Sequence, residues 1–72
     1  MNVCFTIEEL ALMGAFHPEN GRLAMIMTLT EELPFIGEEL AQETTRSALA
    51  KLHTISDAEY SSQNFMMANV LE

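Results

Sequence analysis

The chain has 72 residues, of which 49% are apolar, and its eleven acidic and three basic residues give a formal net charge of −8. Such a charge repels phosphates and anionic lipid headgroups, so we expect no direct contact with nucleic acid or membranes. No segment reaches the length of about 18 apolar residues that spans a bilayer, and the N-terminus has no basic signal-peptide region. We expect a single cytoplasmic domain over residues 1–72.

Two capping boxes predict where the first and last helices begin. Thr6 precedes Glu9 by three residues, and Ser56 precedes Glu59 by the same spacing. In this motif the hydroxyl and the carboxylate each accept a hydrogen bond from the other residue's backbone N–H. Apolar residues flank both motifs at the positions of a hydrophobic staple, namely Phe5 with Leu10 and Ile55 with Tyr60.

Helical spacing and helix stops predict four short helices. Pro18 ends the first, because the residue before a proline is pushed out of the helical region, and Pro34 ends the second. The predicted helices cover residues 7–16, 21–33, 38–53 and 57–68, and fraying of residues 66–72 is left open. Since no segment has the alternation of a strand, the expected fold is an all-α bundle of three to four helices in one domain.

The second helix carries apolar residues on more than one face, which predicts a central position in the bundle. The third helix is expected to turn a helically spaced apolar set inward, beginning at Leu40. The apolar residues of the second helix are Leu23, Met25, Ile26, Met27, Leu29 and Leu33.

Six methionines in a short chain have two interpretations, flexible core fillers or an adaptable binding surface. The second interpretation places Met25 or Met27 at the surface, where it forms an apolar patch with Phe35, Ile36 or Met67. Acidic pairs near helix ends have two interpretations as well, ordinary solvated charge or a negative surface for a basic partner. The pairs next to the proposed patch are Glu31–Glu32 and Glu38–Glu39.

The chain lacks the motifs of phosphate-binding loops, zinc proteases, serine hydrolases and EF-hands. His17 and Glu19 supply two candidate metal ligands, but no third accompanies them. A single cysteine, Cys4, permits no intramolecular disulfide. We therefore expect no catalytic residues, no metal, no cofactor and no enzymatic activity.

The chain resembles the transposon-transfer assisting proteins, short acidic proteins encoded in conjugative transposons of gut-dwelling Gram-positive bacteria. The resemblance covers about residues 3–60 and leaves the tail outside. It rests on the pattern Phe5-Thr6-x-Glu8-Glu9-Leu10-x-Leu12-Met13, Arg22 at a helix start, Glu39-Leu40, Ala48-Leu49-x-Lys51-Leu52, and Ser56-Asp57-Ala58-Glu59-Tyr60. It implies an accessory role in the transfer of a mobile element and no catalytic residues.

Two functions follow as expectations. The leading one is a non-enzymatic accessory protein that contacts another protein, such as a basic transfer or DNA-processing protein of the same element. The alternative is an acidic regulator or inhibitor that occupies the nucleic-acid-binding site of a partner. A homodimer that completes a small core is a further possibility.

Overall fold

A computed structural model describes residues 4–63 of the chain. The helices are α1 (Ile7–Gly14), α2 (Arg22–Glu32), α3 (Glu39–Leu52) and α4 (Asp57–Ser61). One-turn 3₁₀ helices, Pro18–Asn20 and Leu33–Phe35, precede and follow α2. Residues 4–63 contain no strand, and the predicted all-α fold class is confirmed.

Both capping boxes are present. The Thr6 hydroxyl accepts from the Glu9 N–H at 3.1 Å, and a Glu9 carboxylate oxygen accepts from the Thr6 N–H at 2.9 Å. Ser56 and Glu59 repeat this exchange at 3.1 and 2.9 Å. Each exchange gives a partner to backbone donors that have none inside the helix, and so fixes the first residue of α1 and of α4.

The bounds of α2 and α3 lie within one residue of prediction, and two other helix ends differ by more. α1 ends at Gly14 rather than at residue 16, and the chain then reaches Pro18 through His17, whose φ of +58° is left-handed. α4 ends at Ser61, where the weak helix formers begin, rather than at residue 68. The rest of that predicted helix, the fraying of residues 66–72 and the position of Met67 lie outside the described residues.

The core draws on all four helices and is organised around α3. This helix packs against both α1 and α2, and it turns Thr45, Ala48 and Leu52 inward. The predicted central position of the second helix is therefore wrong, because α2 buries only one of its apolar faces. The buried apolar residues are Phe5, Met13, Met25, Leu29, Ala48, Leu52, Ile55 and Tyr60.

A buried carboxylate joins α1 to α3. Glu9 is 2% exposed, and it accepts hydrogen bonds from Lys51 Nζ at 2.8 Å and from the Ser47 hydroxyl. Lys51 also donates to the Cys4 carbonyl at 2.9 Å and lies 5.8 Å from the centre of the Phe5 ring. The capping-box carboxylate is thus also the main polar contact between the two helices.

The environment of Glu9 favours its ionised form. Burial raises the pKa of this carboxyl, but hydrogen bonds from Lys51, Ser47 and Thr6 together lower the pKa below its ordinary value of 4.5. The charged form is therefore the one that the fold stabilises.

Arg22 connects α2 with α3 and α4. Its Nε donates to Asp57 Oδ1 at 2.9 Å, and another guanidinium nitrogen donates to the Leu52 carbonyl at 3.0 Å. The start of α2, the end of α3 and the start of α4 therefore meet at one guanidinium. Arg22 needs this fork of donors, since a lysine has no planar pair of N–H groups to bridge the two acceptors.

We predict that Glu9→Gln lowers the free energy of unfolding by about 2–3 kcal/mol at pH 7, because it leaves a partly buried lysine without its acid. The pKa of Glu9 is lowered in the folded state, so its stabilising effect is complete above the ordinary value of 4.5 and is lost as the pH falls through the folded value. Urea denaturation across this pH range should show the loss in the wild type and a flatter profile in the variant.

Glu8→Gln is the matched control, since Glu8 lies in the same helical turn and is exposed. It should lower the free energy of unfolding by less than about 1 kcal/mol, the typical dipole interaction of a first-turn carboxylate. Equal losses in both variants would contradict a special role for the buried pair.

Candidate partner-binding surface

α2 has one buried face and one exposed apolar face. Met25 is 1% exposed and Leu29 is completely buried, whereas Met27 is 63% exposed and Leu23 is 64% exposed. Successive helical residues are about 100° apart, so Met25 and Met27 point about 200° apart and cannot share a face. Of the two methionines expected at the surface, Met27 is the one that is exposed, whereas Met25 is corrected to a core residue.

Leu23, Met27 and Glu31 form one row along α2, which we call the outer row. They stand four residues apart and all three are exposed. Residues at this spacing lie one above the other on a helix, rotated by about 40° per step. The outer row faces away from the side formed by Met25 and Leu29, so its apolar residues remain outside the core.

The link between α2 and α3 presents Phe35, which is 82% exposed. Ile36, in contrast, is half-buried, and its carbonyl accepts a hydrogen bond from the Gln42 side-chain amide at 2.6 Å. Glu38 is the N-cap of α3 and accepts from the Ala41 N–H at 3.0 Å. Side chains at the start of α3 therefore hold the backbone of the link while Phe35 stays in solvent.

Leu40 is a second correction, since it is 67% exposed rather than turned inward. The buried residues of α3 begin at Thr45, five positions later, and five helical steps rotate a side chain by about 140°. Sequence reasoning did not identify Leu23 or Leu40 as surface residues. Leu23 belongs to an apolar set that covers too much of the helix to show which face is buried.

The four acidic residues proposed for a partner are all exposed, but they differ in what they do for the helices. Glu38 caps α3, and Glu39 lies in its first turn, where a negative charge stabilises the helix. Glu31 and Glu32 lie at the C-terminal end of α2, whose last turn has no basic residue. Negative charge there opposes the helix dipole, so helix stability does not explain this pair.

A cleft of about 610 Å³ lies at the other end of α2. Residues 18–24 form one side, and residues of the α4 region including Asp57, Tyr60 and Gln63 form the other. The Tyr60 hydroxyl donates to the Pro18 carbonyl at 2.7 Å, and burial together with the charge of Glu19 raises the pKa of Tyr60 to about 12. Leu23 lines this cleft as well, so the cleft and the outer row are continuous at that residue.

His17 and Glu19 are neighbours, with His17 Nδ1 3.1 Å from a Glu19 carboxylate oxygen. The pKa of the Glu19 carboxyl is lowered mainly by a hydrogen bond from the Glu19 backbone N–H. A hydrogen bond from the His17 side chain lowers it further. Within residues 4–63, no three His, Cys, Asp or Glu side chains are grouped closely enough to hold a metal ion. His53 lies at the C-cap of α3, and Cys4 is exposed.

A family model described as "Putative transposon-transfer assisting protein" matches residues 5–67 of the chain. This match extends beyond Tyr60, where the sequence resemblance was expected to stop. No curated protein and no solved structure matches the chain. Among the described helices, none combines the length and the hydropathy that a membrane crossing requires.

We predict a large loss of stability for one methionine of α2 and almost none for another. Met25→Ala should lower the free energy of unfolding by about 2–4 kcal/mol, because it leaves a cavity in the core. Met27→Ala should change it by less than about 0.5 kcal/mol, because the side chain contributes little buried area and alanine favours a helix. Urea denaturation of the two variants tests the assignment, and similar losses would show that Met27 is also part of the core.

Proposed function

The chain belongs to the transposon-transfer assisting family, and we propose that it assists the transfer of a conjugative transposon as a non-enzymatic accessory protein that contacts another protein. The family match supports the setting. The observation that supports contact with a protein is the exposure of Met27 and Phe35, at 63% and 82%, beside carboxylates that do not stabilise their own helix. Apolar residues beside charged ones are typical of protein interfaces.

The charge of the molecule favours a basic partner. Two of the three basic side chains are already paired with an acid, since Arg22 is bound to Asp57 and Lys51 to Glu9. Among residues 4–63, neither Glu31 nor Glu32 forms an ion pair with a basic side chain. A basic transfer or DNA-processing protein of the same element has the complementary charge and would be attracted at long range.

The proposal places the protein in the cytoplasm, where transfer proteins meet the DNA that they process. Its one cysteine is compatible with a reducing compartment. The surface would act by binding and positioning, so its contribution depends on affinity rather than on a reacting group.

We predict that Met27→Ser combined with Phe35→Ser reduces transfer to the level of a gene deletion, a loss of about tenfold or more if these side chains anchor the interface. The measurement is the mating frequency of a donor strain in which the gene is deleted in frame and supplied in trans. The tagged wild type should also recover an element-encoded protein from donor cells, and the double variant should recover less of it.

Ile7→Ser is the matched control, because Ile7 is equally exposed at 69% but lies on α1. Circular dichroism should show that both variants remain helical. The proposal fails if the deletion does not change transfer, or if the α1 control lowers transfer as much as the double variant does.

The alternative function is that of an acidic regulator that occupies a partner's nucleic-acid-binding site. Glu31 and Glu32 favour it, since two adjacent carboxylates at a helix C-terminus repel each other and the dipole unless something else binds them. Glu38 does not support it equally, because its carboxylate already accepts from the Ala41 N–H.

Regulation by occupancy predicts that DNA displaces the captured partner, and that Glu31→Gln combined with Glu32→Gln weakens capture by about tenfold at low salt. Glu8→Gln combined with Glu43→Gln removes the same charge from other exposed positions and should have little effect. Capture that resists excess DNA would contradict the alternative and favour the accessory function.

A further inference from the structure

We propose that the outer row of α2 binds a basic amphipathic helix of the partner. This inference rests on the proposed function and adds the class of segment that the surface recognises. It depends on how apolar and acidic groups are arranged along one helix.

The apolar part of the surface has helical spacing. Leu23 and Met27 are exposed at 64% and 63% and lie four residues apart, so they are separated by about 6 Å along the axis. Isolated exposed apolar residues are common on soluble proteins. Two of them in one row, in line with the exposed Glu31, match the spacing of anchor residues on a partner helix.

The charges at the C-terminal end of α2 favour a cationic side chain. Glu31 and Glu32 lie beside the negative end of the helix dipole, and the last turn of α2 holds no basic residue. A lysine or arginine of a partner placed there would interact favourably with both carboxylates and with the dipole. An acidic or neutral segment would not relieve this repulsion.

The N-terminal end of α2 adds a second acidic region about one helix length away. Glu19 and Asp57 line the cleft that begins at Leu23, and their side chains are 60% and 80% exposed. Arg22 lines the same cleft and is bound to Asp57, so the net negative charge of this region comes from Glu19. The 11 residues of α2 span about 16 Å, so a partner helix of about 10–12 residues would reach from one acidic region to the other. Its apolar face would lie on the outer row between them.

A helix fits this surface better than an extended peptide does. Extended peptides gain much of their affinity by adding a strand to an exposed sheet edge, and residues 4–63 contain no strand. The side of an α-helix offers ridges and grooves of side chains, which another helix can match.

A second copy of the chain fits less well. Each copy carries a net charge of −8. Two copies therefore repel each other at long range, whereas a basic segment is attracted.

The test uses the full chain and a labelled synthetic peptide of about 14 residues, with leucines at helical positions i, i+4 and i+7 and lysines on both flanks. Fluorescence anisotropy at about 50 mM salt measures its affinity, and repetition at about 300 mM salt measures the electrostatic share. A scrambled peptide of identical composition and an acidic peptide with the same leucines serve as comparisons.

The expected result is binding of the basic amphipathic peptide only. Leu23→Ala combined with Met27→Ala should weaken it by about tenfold or more, and Glu31→Gln by about threefold at low salt. Ile7→Ala and Glu8→Gln, which remove an exposed apolar group and an exposed charge from α1, should leave the affinity within about twofold. Because all substituted side chains are exposed, the variants should retain the helical circular dichroism of the wild type.

Equal binding of the scrambled peptide, equal losses in the α1 controls, or no binding would overturn the inference. Sedimentation of the protein alone adds an independent check, since a dimer abolished by the Leu23 and Met27 changes would assign the outer row to a second copy.

The outcomes also separate this inference from the proposed function. Failure of the peptide to bind, together with loss of transfer in the Met27 and Phe35 variant, would overturn the basic helix alone. Peptide binding through the outer row, together with normal transfer in that variant, would overturn the proposed function alone.

Discussion

The contact of the buried Glu9 carboxylate with Lys51 determines how α1 is placed on the rest of the molecule. A charge that is 2% exposed is unfavourable unless its hydrogen bonds are satisfied, and Glu9 accepts from backbone, hydroxyl and ammonium donors. These donors come from Thr6 on one side and from α3 on the other. α1 therefore cannot shift along α3 without leaving a buried charge unsatisfied, a constraint that apolar packing alone does not impose.

This arrangement also decides which charges are available to a partner. Lys51 and Arg22 are bound to Glu9 and Asp57, and Arg46 is the basic residue that remains exposed without an ion pair among the described residues. Several acidic residues are in turn explained by structure, since Glu9, Glu38 and Glu59 accept hydrogen bonds from backbone N–H groups. Several of these charges therefore belong to helix ends, whereas helix capping and the dipole do not explain the pair Glu31–Glu32.

The features that the sequence predicts well are local ones. A capping box connects residues three positions apart, so Thr6 with Glu9 and Ser56 with Glu59 are readable without any knowledge of the fold. The second role of Glu9 is not readable in this way, because its partner Lys51 is 42 residues away. The bridge from Arg22 to Asp57 spans 35 residues and is hidden for the same reason.

The face of α2 that packs inward was ambiguous for a different reason. Leu23 and Met27 lie on the side of the helix opposite Met25 and Leu29, so both sides are apolar and periodicity alone does not select the one that packs inward. Packing against α3 selects Met25 and Leu29. The outer row stays exposed because, among the described residues, no other helix packs on that side of α2.

The exposed apolar residues of the outer row have little effect on the stability of the free protein. An exposed methionine or leucine neither creates a cavity nor leaves a polar group unsatisfied, so stability is nearly indifferent to residues at positions 23 and 27. The carboxylates at the end of α2 are different, because they are mildly unfavourable in the isolated molecule. A cationic side chain of a partner would relieve this repulsion in the complex. The free protein has no such cation, so the carboxylates would favour binding without stabilising the free protein. Apolar exposure and unfavourable charge on one helix are independent observations, and a basic amphipathic partner accounts for both.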